Sequence, residues 1–147
     1  MTIYGKIWIY LVMWRDFMKT YKQIEEMENM YNEKYNSIDK GNDENKEDLI
    51  IYGHWVDFLS DLLDWNVLDY AEKIGFDIEK ENDMFEYTDE VKKEIIITEE
   101  QAKEQLEIRN EICRKYPYGS CKNKWWIDGI NIDMLERDIL KWVLEIE

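Results

Sequence analysis

One histidine and one proline occur in 147 residues, alongside two cysteines and six glycines. A lone histidine matches no zinc pattern, and no Ser/His/Asp or Cys/His arrangement is present to build a nucleophilic centre. Two cysteines, Cys113 and Cys121, do not make a disulfide framework, so a reducing, intracellular setting is expected. No Gly-rich stretch has the form of a phosphate-cradling loop, and no carboxylate pair stands out among thirty-four. An enzyme is therefore not expected, and neither a cofactor nor a metal is implied. The apolar run IWIYLVMW is short, lacks a charged leader and a small-residue cleavage site, and gives way to Arg15 and Asp16. Neither a signal peptide nor a membrane span is expected, and the chain reads as soluble and cytoplasmic.

Apolar residues make up 45% of the chain and aromatics 14%, far too many for a disordered acidic polymer. A chain of this length fits one domain and buries roughly 70% of its unfolded surface. The formal net charge is -15, and it is unevenly placed. Residues 1–38 carry five basic and five acidic side chains, and residues 91–147 carry ten basic against twelve acidic. The acidic central segment, 39–90, holds the remaining minus 13. Within it, 57–90 sets twelve carboxylates against Lys73 and Lys80.

Periodicity places these charges on elements. The opening TIYGKIWIYLVMW alternates in both registers and reads as a strand buried on both faces, with a buried helix as its competitor. A helical pattern runs from Asp16 to about Tyr35, and SIDKGNDENKED, 37–48, reads as an exposed loop. In a second helix, 49–65, Val56, Leu59, Leu62 and Leu63 form the inward stripe, while Asp57, Asp61 and Asp64 share another face. A short helix, 67–74, should end at Gly75. Residues 76–87 are expected to form a strand and turn, and IIIT, 95–98, a short strand. TEEQ at Thr98 is a capping box for a helix running to Tyr116 before Pro117, and a last helix should begin near Asp133, with Glu136 completing its box. The expected class is α+β, a mostly helical single domain with a small β-sheet.

The acidic segment interleaves its charges with Trp65, Tyr70, Phe76, Ile78, Met84, Phe85 and Tyr87, which a solvated linker has no reason to carry. Alternate strand residues lie about 6.5 Å apart and i, i+4 helix residues about 6 Å apart along the axis. Rows of Asp77, Glu79, Glu81 and Asp83 on a strand, and of Asp57, Asp61 and Asp64 on a helix, would thus imitate the charge spacing of a nucleic-acid backbone. In size, charge and aromatic content the chain resembles the small acidic nucleic-acid mimics of phages and mobile elements, which include anti-restriction and anti-CRISPR proteins. That resemblance implies a stoichiometric inhibitor occupying the nucleic-acid channel of a basic protein, such as a Cas effector or a restriction enzyme.

The contact surface expected on this reading comprises Asp57, Asp61, Asp64, Asp69, Glu72, Asp77, Glu79, Glu81, Asp83 and Glu86, with Trp65, Phe85 and Tyr87 as anchors. The alternative is an immunity protein or antitoxin that neutralises a nuclease toxin through aromatic hot spots such as Trp55, Trp65 or Tyr70. Neither reading calls for direct nucleic-acid or membrane binding. VLDYAEKIGFD has the Ala-x-x-x-Gly spacing of a helix-turn-helix, but the acidic residues that follow would be repelled by DNA. His54, Asp57 and Asp61 at i, i+3 and i+7 are better read as a structural histidine beside a solvated stripe than as a metal site. RKYPYGSCKNKWW, 114–126, interleaves cations with aromatics; these suit a helix C-terminus beside a core, base stacking, or a homodimer contact with the acidic segment of a second copy.

Overall fold

A computed structural model of the chain describes residues 18–79, 86–116, 126–127 and 130–146. Helix α1 spans Tyr21–Ser37. It opens on a reciprocal cap in which the Thr20 hydroxyl accepts from the Gln23 N–H and the Gln23 side chain accepts from the Thr20 N–H. That cap starts the helix five residues later than the apolar pattern implied. A 3-10 turn at Asp43–Asn45 leads into α2, Lys46–Leu63, whose first turn carries Glu47 and Asp48 against the positive end of the helix. The expected loop therefore contains the start of α2.

Helix α3, Val67–Ile74, ends as expected at Gly75, where φ is 76°. The Phe76 N–H donates to the Ala71 carbonyl at 2.8 Å, closing the helix in a left-handed cap. No strand follows within residues 76–79: Asp77 Oδ1 accepts from the Glu79 N–H at 3.1 Å, which curls the chain into a turn. Helix α4, Asp89–Ile95, starts where the Thr88 side chain accepts from the Val91 N–H. It absorbs Ile95, the first residue of the expected strand IIIT.

The rest of that run is extended, but its partners are helix ends and not a neighbouring strand. The Ile97 N–H donates to the Leu62 carbonyl at 2.9 Å, and Asn66 donates through its backbone to Ile95 and through its amide to Ile96. Ile95 and Ile97 are fully buried by this arrangement. Helix α5, Glu99–Lys115, begins with the anticipated box between Thr98 and Gln101.

Strands β1, Trp126–Ile127, and β2, Ile130–Asn131, pair antiparallel over two residues each. Helix α6, Ile132–Val143, follows directly and is capped by Asn131, whose side-chain oxygen accepts from the Met134 N–H. Glu136 is therefore not a capping partner.

The α+β assignment is overturned: the chain is a mostly helical domain. Its described β structure is a single two-residue pairing, too small to form a layer against which helices pack. The strand expected over residues 3–14 lies outside the described residues. The core joins Ile24 of α1, Phe58, Leu59, Leu62 and Leu63 of α2, Ala102 and Leu106 of α5, and Ile139, Leu140 and Val143 of α6 around Ile97. Each large aliphatic buried there contributes about 1.5–3 kcal/mol. Phe58, and not Val56, completes the inward stripe of α2. The Phe58 ring carries the Arg109 guanidinium at 5.3 Å and stacks with His54 at 6.2 Å. No helix among the described residues is long and apolar enough to cross a membrane.

Candidate protein-binding surface

The buried stripe of α2 fixes where its carboxylates point. With Leu59, Leu62 and Leu63 held in the core, Asp57 and Asp61 are exposed and Asp64 is half-buried at the rim. Although the Asp61 side chain is mostly exposed, partial desolvation against its neighbours pushes its carboxyl above the ordinary range, and the negative charges of Asp57, Glu136 and Asp64 add to the push while His54 opposes it. Burial also raises Asp64, against the hydrogen bond it accepts from the Tyr87 hydroxyl. Tyr87 is raised in turn by burial and by Asp64.

The negative surface continues onto α1. Glu28 is raised by burial and then by Glu25 and Asp64. Tyr21 is pushed up to about 12, by burial first and then by Asp64, Glu25, Tyr87 and Glu28. Glu25 and Glu28 belong to the electrically neutral first quarter of the sequence, so a charge count by segment misses them. Only the packing of α1 along α2 brings them to Asp64.

The remaining expected contact residues fall into separate places. Asp69 and Glu72 are exposed on α3, Asp77 and Glu79 lie in the turn beyond it, and Glu86 is exposed before α4. Asp77 and Glu79 are not in strand register, so the extended carboxylate row is absent there. Glu81, Asp83 and Phe85 lie outside the described residues. Trp65 is 36% exposed at the α2–α3 joint, whereas Tyr87 is half-buried against Asp64 and Tyr70 is half-buried on α3. Trp55 stacks on Tyr31 at 4.5 Å and meets the edge of Trp142 at 6.1 Å, which commits it to the seam between α1, α2 and α6. It remains half-buried there.

His54 has a structural partner. Its Nε2 lies 3.0 Å from Glu136 Oε2, and Arg109 reaches Glu136 Oε1 through both Nε and a terminal nitrogen at 3.2 Å. Burial alone would raise the Glu136 carboxyl, but the His54 hydrogen bond and the Arg109 charge outweigh it and hold the group below its ordinary range. The three residues tie α2, α5 and α6 together, at separations of 82 and 27 residues that no local pattern reveals. Among the described residues no group of three or more His, Cys, Asp or Glu is placed to hold a metal ion.

Two concavities accompany these surfaces. The larger, about 870 Å³, opens between the start of α1 and α4, where Lys19, Lys22, Lys92 and Lys93 are offset by Glu25, Asp89 and Glu99. The smaller, about 410 Å³, lies against α3 and the turn after it, among Leu68, Glu72, Phe76 and Glu79. Of the basic aromatic stretch 114–126, the described part shows Arg114 joined to Glu111 at 2.6 Å and Tyr116 exposed at the end of α5. For the helix-turn-helix spacing, Ala71 is buried and Gly75 is left-handed as that motif requires, but no second helix begins within residues 76–79. The chain matches no protein-family model, no curated protein and no solved structure at a significant level.

Proposed function

We propose that this chain is a non-enzymatic, acidic inhibitor that docks on the nucleic-acid-binding groove of a basic protein, of the kind found in Cas effectors, restriction enzymes and nuclease toxins. One observation carries the reading. Asp57 and Asp61 project from the face of α2 opposite its core stripe, Asp64 caps the end of that helix, and Glu25 and Glu28 of α1 approach Asp64. Burial raises the Asp61, Asp64 and Glu28 carboxyls, and neighbouring carboxylates push Asp61 and Glu28 further, so the ionised groups are disfavoured where they stand. A fold gains nothing from such an arrangement by itself. A partner lined with Lys and Arg relieves the repulsion and, in binding here, releases the counterions it would release on binding DNA.

The experiment is a pull-down from nuclease-treated lysate, followed by displacement of a fluorescent oligonucleotide from the captured protein. The captured partner is expected to bind the oligonucleotide, to lose it to the acidic chain, and to do so less well as salt rises. Asp57→Lys with Asp61→Lys, both at exposed positions, should abolish displacement while leaving the circular dichroism spectrum unchanged. A partner without nucleic-acid affinity, or displacement indifferent to both salt and charge reversal, refutes the reading.

A further inference from the structure

The groove against α3 differs in chemistry from the α2 stripe. Its floor is apolar, formed by Leu68, Ala71, Phe76 and Ile78, and its rim is acidic, formed by Glu72, Asp77 and Glu79. Among the described residues no basic side chain lines it, and Lys73 on the same helix lies instead 3.8 Å from Glu94 of α4. Leu68 leaves 70% of its surface in solvent and Ile74 leaves 49%. These are the large aliphatics of an eight-residue helix that buries only Ala71 completely. Leu68, Phe76 and Ile78 together form a contiguous apolar lining bordered by carboxylates, the layout of an interface anchor with a polar rim.

We propose that this groove takes one apolar side chain of a basic partner segment, whose neighbouring Lys or Arg residues pair with Glu72 and Glu79. The inference rests on the reading above that the partner is a basic protein, and it adds what that partner must present: an aliphatic or aromatic residue flanked by cations. Charge selects the occupant. A second copy of this chain brings a formal net charge of -15 and is repelled at long range, and an anionic membrane or nucleic acid meets the same rim. A Lys/Arg-rich segment is attracted, and its apolar residue gains the contact with Leu68 that water does not supply. The α2 stripe would then set the rate of encounter and the α3 groove the register of the complex.

The test is a titration of the isotopically labelled full chain, followed by amide NMR, with two synthetic peptides of equal charge: an amphipathic Lys/Leu helix and an oligolysine. The Lys/Leu peptide should shift the signals of Leu68, Ala71, Phe76 and Ile78 and bind roughly tenfold more tightly than oligolysine. Leu68→Lys, at an exposed position, should erase that difference without disturbing the rest of the spectrum, and Glu79→Gln should reduce the affinity for both peptides. Equal affinity for the two peptides, or shifts confined to Asp57 and Asp61, overturns the groove while leaving oligonucleotide displacement intact. Loss of displacement activity with the groove titration preserved points the other way and removes only the broader reading. A concentration-dependent dimer with Leu68 at its contact assigns the groove to a second copy and also overturns the proposal.

Discussion

Asn66 and Gln101 exchange their side-chain amides: Asn66 Nδ2 donates to Gln101 Oε1 at 2.8 Å, and Gln101 Nε2 donates to Asn66 Oδ1 at 2.9 Å. Asn66 also holds the Ile96 carbonyl, and Gln101 accepts from the Thr98 N–H. One pair thus joins the α2–α3 corner to the first turn of α5. Asn66→Ala strips a partner from Gln101 and from the Ile96 carbonyl, each at a half-buried site, and should cost about 1–3 kcal/mol. Urea unfolding followed by circular dichroism measures it, and a variant as stable as the parent would show that the exchange is dispensable.

Gly75 sets the end of α3 through its backbone alone. At φ 76° a side chain is strained even though nothing lies within 4 Å of the position a Cβ would take. Gly75→Ala should therefore lose about 1–2 kcal/mol, and Gly75→Asn less, because asparagine tolerates the left-handed region. If both variants matched the parent in thermal unfolding, strain would not be what glycine relieves here.

Asp61 makes stability fall as pH rises. Its folded value lies above the ordinary 3.8, so its favourable contribution is complete below that value and is lost as pH climbs through the raised one. Asp61→Asn should consequently be more stable than the parent near neutrality and no more stable near about pH 3. Urea midpoints at the two pH values decide it; a variant destabilised at neutrality contradicts the argument.

Glu136 acts with the opposite sign. Its carboxyl is held low by His54 and Arg109, so its contribution is present above the ordinary carboxylate value and disappears as pH falls through the lowered one. Glu136→Gln should lose about 1–3 kcal/mol at neutrality, where Arg109 is left without its charged partner, and should converge on the parent at strongly acidic pH. A loss that persists unchanged in acid would assign the effect to packing and not to charge.

The features read correctly from sequence are those decided within a turn or two of chain. The Thr98–Gln101 box and the Gly75 cap each close a hydrogen bond within five residues, so three or four letters specify them. IIIT does not announce its partners, because a β-branched run looks the same whether its backbone pairs with a strand or, as here, with Leu62 and Asn66, 29 to 35 positions earlier. Helix α4 lies outside the expected elements, although Thr88 followed by Asp89 and Glu90 carries the local signal of a helix start. Asp57, Asp61 and Asp64 were legible as a stripe because 3.6-residue periodicity fixes their face once Leu59 and Leu62 are buried. Their reinforcement by Glu25 and Glu28 was not, since it depends on how α1 lies against α2.

A cation that settled beside Asp61, or beside Glu28, would lower that raised equilibrium, so a complex formed there on the acid side of neutrality would shed hydrogen ions as it assembled. Its heat of formation then varies with the ionisation enthalpy of the buffer, and its affinity climbs toward neutrality even when the partner's own charge does not change.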